Sequence, residues 1–209
     1  MIKILNINAD WTAAKNECRN TVNKDPTDNK PSSSFIHKLL ISEHSPIRLI
    51  TIRWRWEKMK SWVHVHFARH WLGWDKWVST QRTDRTGINR DELPQDALVN
   101  MDINANAQAL INVARYRLCH QASPETRHYM EELKRVIKTD ANQPELSDVM
   151  VPNCIYRCGC PEFEPCGYFK RFMDHANSHD YQNIADIHQR YAAYNELFWS
   201  KNNEQSKTS

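Results

Sequence analysis

The stretch PIRLITIRWRWEK, residues 46–58, decides the fold because its apolar and polar side chains alternate. Its apolar positions are Ile50, Ile52, Trp54 and Trp56. The polar positions between them are Thr51, Arg53 and Arg55. Successive side chains of a β-strand point to opposite faces of a sheet, so this alternation is typical of a half-buried strand. The stretch therefore predicts a strand with a buried isoleucine and tryptophan face and a polar arginine face.

Helical periodicity and capping residues predict helices on both sides of this strand. The predicted helices cover residues 10–22, 33–44, 59–71, 103–123, 124–137, 168–180 and 181–199. The apolar positions expected to be buried in the helices over 103–123 and 124–137 are Ala107, Leu110, Ile111, Ala114, Met130, Leu133 and Ile137. Residues 1–7 predict a second strand, and residues 78–85 predict a short strand or an extended loop. Residues 89–102 give no clear pattern.

The composition is that of a globular protein of one or two small domains, with 209 residues, 40% hydrophobic and 25% charged. A net charge of +3 is too small to predict a protein around which nucleic acid wraps. It still permits a local basic site for a phosphorylated metabolite. No apolar run approaches the roughly 20 residues of a membrane helix. The first ten residues lack the apolar core of a signal peptide, so a cytoplasmic protein without membrane or nucleic-acid partners is expected.

The segment HVHFARHWLGWDKWVSTQRTDR, residues 64–85, is dense in histidine, tryptophan and arginine. His66 and His70 lie four residues apart on one face of a predicted helix, but a histidine pair alone is a weak indication of a metal site. The arginines are a stronger indication of a binding site. Arg82, Arg90 and Arg117 lie on three separate predicted segments. Clustered arginines hold phosphate groups through bidentate hydrogen bonds. If the three converge, they form a phosphate site.

The order of these features resembles the flavin-dependent thymidylate synthases over roughly residues 40–137. That family has a HESPFEH-like turn, a strand, a helix ending in Arg-His-Arg and a following Ser-x-Arg. An AR-x-x-LP stretch and a helix of the form N-A-R-S-L-x-N-x-x-x-x-R come later. The similar segments here are SEHSPIRLITIRW (42–54), HFARHW (66–71), STQR (79–82), NRDELP (89–94) and NAQALINVARYRLCHQASPE (106–125). The last helix is the most specific of these matches.

The resemblance implies a fold and a set of cofactor contacts. The implied fold is α/β (α+β), with a mixed, largely antiparallel sheet flanked by helices, of the thymidylate synthase-complementing type. A helical, Cys/His-containing C-terminal extension would follow it. By position, the residues expected to contact flavin adenine dinucleotide (FAD) are His44, Arg69, His70, Asn106 and Asn112, with Trp71 as a stacking surface.

The resemblance also implies the residues that bind the nucleotide substrate, deoxyuridine monophosphate (dUMP). The arginines expected to hold it are Arg82, Arg90 and Arg117. His66 occupies the position of a glutamine that faces the nucleotide, and either Ser79 or Thr80 stands for the family's serine. Arg117 is the candidate catalytic residue, because a cation at the uracil edge would stabilise charge developing on the carbonyl.

Several positions depart from the family pattern, mainly where the flavin and folate would bind. Trp71 replaces the third residue of Arg-His-Arg, and Gln108 replaces an arginine that contacts flavin. Arg82 and Leu93 are only 11 positions apart, so a long helical segment of the family is missing here. A lost arginine removes a charge-assisted hydrogen bond of about 1.5–3 kcal/mol, so weaker flavin binding is expected.

The C-terminal part is rich in potential metal ligands. Its cysteines are Cys154, Cys158, Cys160 and Cys166, and His175 and His179 follow with H-x3-H spacing. Paired C-x2-C spacing, which is common in zinc modules, is absent. The cysteines are therefore either ligands of a structural zinc ion or reduced structural or redox thiols. We expect residues 1–150 to form the synthase-like domain and residues 151–209 an extension packed on it.

The expected function is flavin-dependent methylation of dUMP to dTMP, with FAD as cofactor and methylene-tetrahydrofolate and NADPH as co-substrates. The resemblance implies a homotetramer with sites built from several subunits. One alternative is a folate-dependent enzyme that modifies carbon 5 of a pyrimidine nucleotide, such as a hydroxymethylase, with an altered or lost flavin site. A second alternative is a nucleotide-binding protein without catalytic activity.

Overall fold

The structure is a computed structural model that describes the backbone of residues 1–205 and the side chains of residues 1–200. The strands are β1 (Ile2–Asn8), β2 (Thr51–Lys60), β3 (Trp74–Val78) and β4 (Leu98–Asn106). The longer helices are α1 (Trp11–Asn20), α2 (Ser33–Ile41), α3 (Ser61–Ala68), α5 (Ala107–Arg117), α6 (Pro124–Thr139), α9 (Tyr168–Ser178) and α10 (Ile187–Gln205). The shorter helices are α4 (Thr83–Thr86), α7 (Pro144–Val149) and α8 (Asn153–Tyr156).

The described chain divides into two compact units. The sheet unit comprises Met1–Leu110 and Glu132–Leu146, and it contains all four strands named above. The helical unit comprises Ile111–Glu131 and the chain from Ser147 onward. The expected domain boundary at residue 150 stays a prediction. Within residues 1–205, no helix is both long enough and apolar enough to cross a membrane.

The sheet has the strand order β1-β2-β4-β3, and each of these neighbouring pairs is antiparallel. This arrangement confirms the predicted antiparallel sheet flanked by helices. The alternating stretch forms β2, except that Ser45–Leu49 make a 3₁₀ turn before the strand. Pro46 lies in the first turn of that segment, where its fixed φ is compatible with a helical start.

One face of the sheet is buried, as the alternation predicted. Its aromatic centre is Trp54, Trp56 and Trp74, all at most 1% exposed. Trp54 meets Trp56 and Trp74 edge to face, with ring centroids 5.4 and 5.3 Å apart. Helix α3 adds Phe67, whose ring centroid lies 4.6 Å from that of Trp56. Edge-to-face packing adds about 0.5–1.5 kcal/mol per pair beyond the burial of apolar area.

The assignment of residues 103–106 to a helix was wrong, because they end strand β4. Val99, Met101, Ile103 and Ala105 are buried on one side of that strand, with period two. The pairing of β4 with β2 and β3 overrides the low strand propensity of its asparagines and alanines. The helix begins at Ala107, and its predicted apolar positions are buried. The buried stripe predicted for α6 is confirmed too.

In the helical unit, a buried cation ties the start of α10 to α8 and to the loop before α10. Arg190 of α10 is 5% exposed and donates hydrogen bonds to the carbonyl oxygens of Ile155, Tyr156, Ile184 and Ala185. The prediction that α10 begins at residue 181 was wrong. Asp186 accepts hydrogen bonds from the backbone of His188 and Gln189, so its carboxylate caps a helix that starts at residue 187.

Candidate functional site

The early turn with His44 lies beside the start of α5 within the sheet unit. Gln108 donates a hydrogen bond of 2.5 Å to the Glu43 carboxylate, next to His44 in the chain. His44 is exposed, and its Nδ1 lies 3.7 Å from Sγ of Cys18. The position expected to contact flavin is therefore close to Gln108, which replaces the family's arginine. The local charge is that of the Glu43 carboxylate rather than of a guanidinium group.

The end of α3 presents a cation and an aromatic surface. Arg69 is exposed, and Trp71 is 72% exposed. His70 packs edge-on against Trp74 with 6.0 Å between ring centroids, and its carbonyl accepts a hydrogen bond from Lys76 Nζ at 2.7 Å. These contacts fix the backbone from which Trp71 projects.

Asn106 has a structural task at the junction of β4 and α5. Its Oδ1 accepts a hydrogen bond of 2.9 Å from the backbone N–H of Ala109, which caps the helix. Its own backbone N–H donates to the Gly73 carbonyl at 3.1 Å. The loop containing Trp71 is thereby tied to the start of α5. The structure thus brings Asn106 and the residue 69–73 loop together, and their expected contact with FAD stays a prediction.

The segment after β3 brings two of the predicted arginines together. Arg82 precedes α4, and its guanidinium makes two hydrogen bonds to the Asp84 carboxylate, at 2.8 and 3.0 Å. The backbone N–H of Arg90 donates to Oγ1 of Thr83 at 3.1 Å, so residue 90 lies beside the start of α4. Arg82 and Arg90 are exposed. This arginine turn, residues 82–90, presents three cations to solvent: the two predicted arginines and Arg85.

The polar face of the sheet carries an open cavity of about 260 Å³. Its lining residues are Arg55, Trp77, Val78, Ser79, Asn100 and Asp102. The predicted Ser79 is on its rim, where the hydroxyl accepts a 2.9 Å hydrogen bond from the Asn100 backbone. Thr80 Oγ1 accepts from the Arg82 backbone N–H at 3.1 Å, so Thr80 leads into the arginine turn. The cavity is slightly smaller than the roughly 300–1,000 Å³ of most ligand pockets.

The floor of this cavity is an ion pair that the sequence reasoning missed. Arg55 donates to both carboxylate oxygens of Asp102, at 2.6 and 3.0 Å. The hydrogen bond from Arg55 holds the pKa of Asp102 below its ordinary value. Arg53 lies over the Trp77 ring, 5.5 Å from its centroid. The pairing of β2, β4 and β3 brings the two arginines, Asp102 and Trp77 together on one face of the sheet. The alternation within β2 could predict the positions of the two arginines but not their partners on other strands.

The remaining predicted site residues lie in α3 and in the helical unit. His66 is half-buried and meets Trp62 edge-on, with ring centroids 6.2 Å apart. In the helical unit, exposed Asn112 accepts a 3.2 Å hydrogen bond from Arg115. Arg115 in turn lies over the Tyr156 ring, 3.5 Å from its centroid. Arg117 is the last residue of α5 and is half-buried.

The cysteines of the helical unit differ widely in environment. Cys154 is buried, and burial raises the pKa of its thiol to about 12, with further contributions from Cys119, Cys160 and Cys166. Cys119, which was absent from the predicted set, is also buried. Cys158 is exposed, and its Sγ lies 3.7 Å from the Ile184 carbonyl oxygen. The zinc site on Cys154, Cys158, Cys160 and Cys166 stays a prediction.

A different trio has the geometry of a metal site. The ligand atoms of His175, His179 and Glu196 lie within 4.8 Å of one another. Across the described part of the chain, no second group of three histidine, cysteine or acidic residues meets this criterion. The H-x3-H spacing indicated the two histidines. The glutamate comes from a separate helix, and no sequence motif predicts that it lies beside the histidines.

No protein-family model matches this chain, and no curated protein sequence matches it. Its fold nevertheless matches that of the flavin-dependent thymidylate synthases. One match is ThyX from Helicobacter pylori, complexed with FAD and dUMP, with TM-score 0.58 and 12% identity over 71% of this chain and 98% of the other. A second structure of that enzyme with FAD and dUMP has TM-score 0.56, 12% identity and the same coverages.

A third solved structure has the same fold and a different description. It is the UMP/dUMP methylase PolB from Streptomyces cacaoi, bound with 5-Br dUMP. Its TM-score is 0.56 at 14% identity, over 71% of this chain and 93% of the other. These similarities confirm the thymidylate synthase-complementing-like fold that the motifs implied. The roles of the individual site residues stay predictions.

Proposed function

We propose that this protein is an enzyme that modifies carbon 5 of the pyrimidine ring of dUMP. The observation that carries the proposal is the fold, which two enzymes crystallised with dUMP or its 5-bromo analogue share. Fold alone is compatible with several functions. The arginine turn adds support, because the exposed Arg82 and Arg90 lie on one short segment and their guanidinium groups suit a phosphate ligand.

The leading reaction is reductive methylation of dUMP to dTMP. Methylene-tetrahydrofolate would supply the carbon, the C5 proton would leave, and NADPH would reduce the flavin. The enzyme's own task is to hold the nucleotide, orient it and exclude water. We further propose a homotetramer, because the resembled enzymes build each site from several subunits. The exposed Trp71 and Trp77 would then lie at or near subunit interfaces.

The residues at the end of α3 fit FAD in part. Arg69 offers a cation for the pyrophosphate, and the 72% exposed face of Trp71 offers a stacking surface for a flat ring. His70, His44, Asn106 and Asn112 complete the proposed set. The Glu43 carboxylate beside Gln108 does not favour a second phosphate group. FAD, when bound and reduced by NADPH, would supply the hydride that reduces the transferred carbon.

The nucleotide would be held mainly by its phosphate. Arg82 and Arg90 would bind the phosphate oxygens, and Arg82 would exchange Asp84 for the ligand. His66 and either Ser79 or Thr80 would make further contacts to the nucleotide. Arg117 would bind the uracil edge and stabilise charge developing on its carbonyl oxygen. Substituting Arg117 with alanine should abolish nucleotide binding, and unchanged binding would disprove that role.

A second candidate is a folate-dependent enzyme that modifies carbon 5 with an altered or lost flavin site, such as a hydroxymethylase. Two features favour it: Trp71 replaces an arginine of the family motif, and Gln108 is hydrogen-bonded to a carboxylate. A nucleotide-binding protein without catalytic activity is the remaining alternative. The arginine turn would bind the nucleotide phosphate in all three cases. Flavin binding and folate-dependent activity are therefore the properties that distinguish the three functions.

The decisive experiment combines a spectrum with an isotope assay. The absorbance of the purified protein is recorded before and after addition of FAD and then dUMP. A bound-flavin band that shifts with dUMP supports the synthase. Folate-dependent release of tritium from C5 of labelled dUMP without bound flavin supports the second candidate. Nucleotide binding with neither signal identifies a binding protein, and failure to bind any pyrimidine nucleotide refutes all three functions.

Matched substitutions at the end of α3 test the flavin site directly. Trp71→Arg exchanges the stacking surface for the family's arginine. A charge-assisted hydrogen bond of about 1.5–3 kcal/mol outweighs ring stacking of about 0.5–1.5 kcal/mol, so FAD binding should still tighten, by roughly 5–10-fold. Leu72→Arg adds the same charge at the next exposed position and should have little effect. Equal tightening in both variants would indicate general electrostatic attraction instead of a flavin site at residue 71.

A further inference from the structure

We propose that His175, His179 and Glu196 bind a divalent transition-metal ion, with Zn²⁺ as the fitting biological ion. This inference concerns the helical unit and is independent of the proposed nucleotide chemistry. The residues lie on elements held in place by packing and hydrogen bonds. Phe172 and Ala176 of α9 are fully buried, and Arg190 fixes the start of α10.

The distances place three potential ligand atoms around one point. Nε2 of His175 lies 4.0 Å from Oε1 of Glu196, and Nε2 of His179 lies 3.8 Å from the same oxygen. The two imidazole ring centroids are 4.0 Å apart. With bonds of about 2.0–2.2 Å to zinc, ligand atoms of a tetrahedral site lie somewhat over 3 Å apart. Small side-chain rotations therefore bring all three atoms to bonding distance.

The hydrogen bonds of His179 select the nitrogen that a metal requires. Its Nδ1 lies 2.9 Å from the carbonyl oxygen of His175, which can only accept a hydrogen bond. Oγ of Ser178 is also 2.9 Å from that nitrogen, but it donates its proton to the same carbonyl at 2.8 Å and so accepts from Nδ1. Nδ1 of a neutral His179 therefore carries the proton, and Nε2 has its lone pair towards Glu196. A histidine that donates one N–H to a backbone carbonyl and offers the other nitrogen is the usual arrangement in metal sites.

The glutamate is oriented in the same manner. Tyr181 donates a 2.7 Å hydrogen bond to Oε2 of Glu196, which leaves Oε1 directed towards the histidines. Without a cation between them, the lone pair of His179 Nε2 and the carboxylate oxygen of Glu196 would repel each other. A metal ion or a proton between the two atoms removes this repulsion. The ordered outer contacts of both ligands favour the metal ion.

The donor set indicates the class of metal and its coordination. Two imidazole nitrogens and one carboxylate suit zinc and its neighbours in the first transition row, while Mg²⁺ and Ca²⁺ prefer oxygen ligands. The side chains of His179 and Glu196 are 47% and 44% exposed, so a fourth position is open to water. Bound metal would link the end of α9 to the middle of α10 and stabilise the fold.

The test is titration of the full-length protein with Zn²⁺ by calorimetry, and with Co²⁺ by absorbance. Accessible cysteines are first alkylated with iodoacetamide, because thiolates also bind both metals. We expect one equivalent of Zn²⁺ to bind and the thermal midpoint to rise. We also expect a Co²⁺ spectrum without sulfur-to-metal charge transfer. A strong charge-transfer band, or no binding above background, would overturn the proposal.

Variants assign the ligands. His179→Gln and Glu196→Gln should each weaken Zn²⁺ binding beyond the roughly 10–100-fold typical of an outer contact. Tyr181→Phe removes such an outer contact and should weaken binding by about 10–100-fold. His128→Gln, an exposed histidine of the same unit, is the matched control and should bind like the parent. Circular dichroism checks that His179→Gln and Glu196→Gln are folded. If both folded variants bind Zn²⁺ as tightly as the parent, the proposal is also overturned.

Discussion

Gly73 packs directly against the side chain of Asn106, so that a Cβ atom at residue 73 would lie 2.8 Å from Asn106 Cγ and still closer to its Nδ2. Gly73 also has a φ of +65°, which side chains disfavour. Gly73→Ala should therefore displace the cap of α5 and destabilise the protein by about 2–4 kcal/mol, combining backbone strain with overpacking. Thermal unfolding measures the effect.

Gly87 is the matched control for that substitution. Its φ of +73° is similar, but a Cβ there would meet nothing within 4 Å. Gly87→Ala should cost only the strain of a left-handed residue, about 1–2 kcal/mol. Equal losses in the two variants would mean that the contact with Asn106 contributes nothing beyond the backbone conformation.

The Arg55 and Asp102 pair predicts a pH dependence of stability. The pKa of Asp102 is lowered in the folded state, so its contribution is complete above the unfolded value of about 3.9. It is lost as the pH falls through the lower folded value. The difference in thermal midpoint between the parent and Asp102→Asn should be constant near neutrality and shrink below about pH 4.

Asp75→Asn provides the comparison, because Asp75 is an exposed carboxylate on neighbouring strand β3. This variant should track the parent across the same pH series. A difference for Asp102→Asn that persists undiminished into strong acid would show that the ion pair is not its source.

The contact between Arg82 and Asp84 should compete with nucleotide phosphate. Both side chains are exposed, so the ion pair is weak, and Asp84→Asn should tighten dUMP binding by about 2–5-fold. Arg82→Ala should weaken binding by roughly tenfold or more. Calorimetric titration with dUMP measures both effects. Arg85→Ala is the control, since Arg85 is another exposed cation of α4. A loss of affinity in Arg85→Ala equal to that of Arg82→Ala would contradict a specific role.

Burial predicts which cysteines react. The nucleophile in alkylation is the thiolate, and Cys154 has a pKa raised to about 12 by burial. Exposed Cys158 and Cys166 should therefore be modified first by iodoacetamide at about pH 8. Cys119 and Cys154 should be modified only after denaturation. Peptide mass spectrometry identifies the modified sites, and rapid native labelling of Cys154 would refute the assignment.

Local periodicity was sufficient to predict much of the fold. The alternation from Ile50 to Trp56 gave the central strand and its buried face, because that pattern depends only on neighbouring residues. The buried faces of α5 and α6 followed in the same way. Strand β4 was missed because its asparagines and alanines have low strand propensity, and only pairing with β2 and β3 stabilises it there.

The candidate site was less accessible from the sequence, since its contacts join distant positions. The resemblance assigned Arg69, His70 and Asn106 to one cofactor, and the structure places the loop at residues 69–73 beside Asn106. The sequence could not show that Asp102 binds Arg55, or that Glu196 approaches His179, because each contact joins separate elements. The arginine turn was predicted as separate arginines, while its internal contact with Asp84 depends on the loop conformation.

The direct junction of β4 and α5 has an evolutionary consequence. Asn106 ends the strand and Ala107 begins the helix, where the Ala107 N–H donates to the Ile50 carbonyl. An inserted residue here would rotate the whole helix by about 100° and misplace its buried face. The exposed chain at residues 79–97 has no such restriction. Among homologues, insertions and deletions should therefore accumulate between β3 and β4 and be excluded from the junction at residues 106–107.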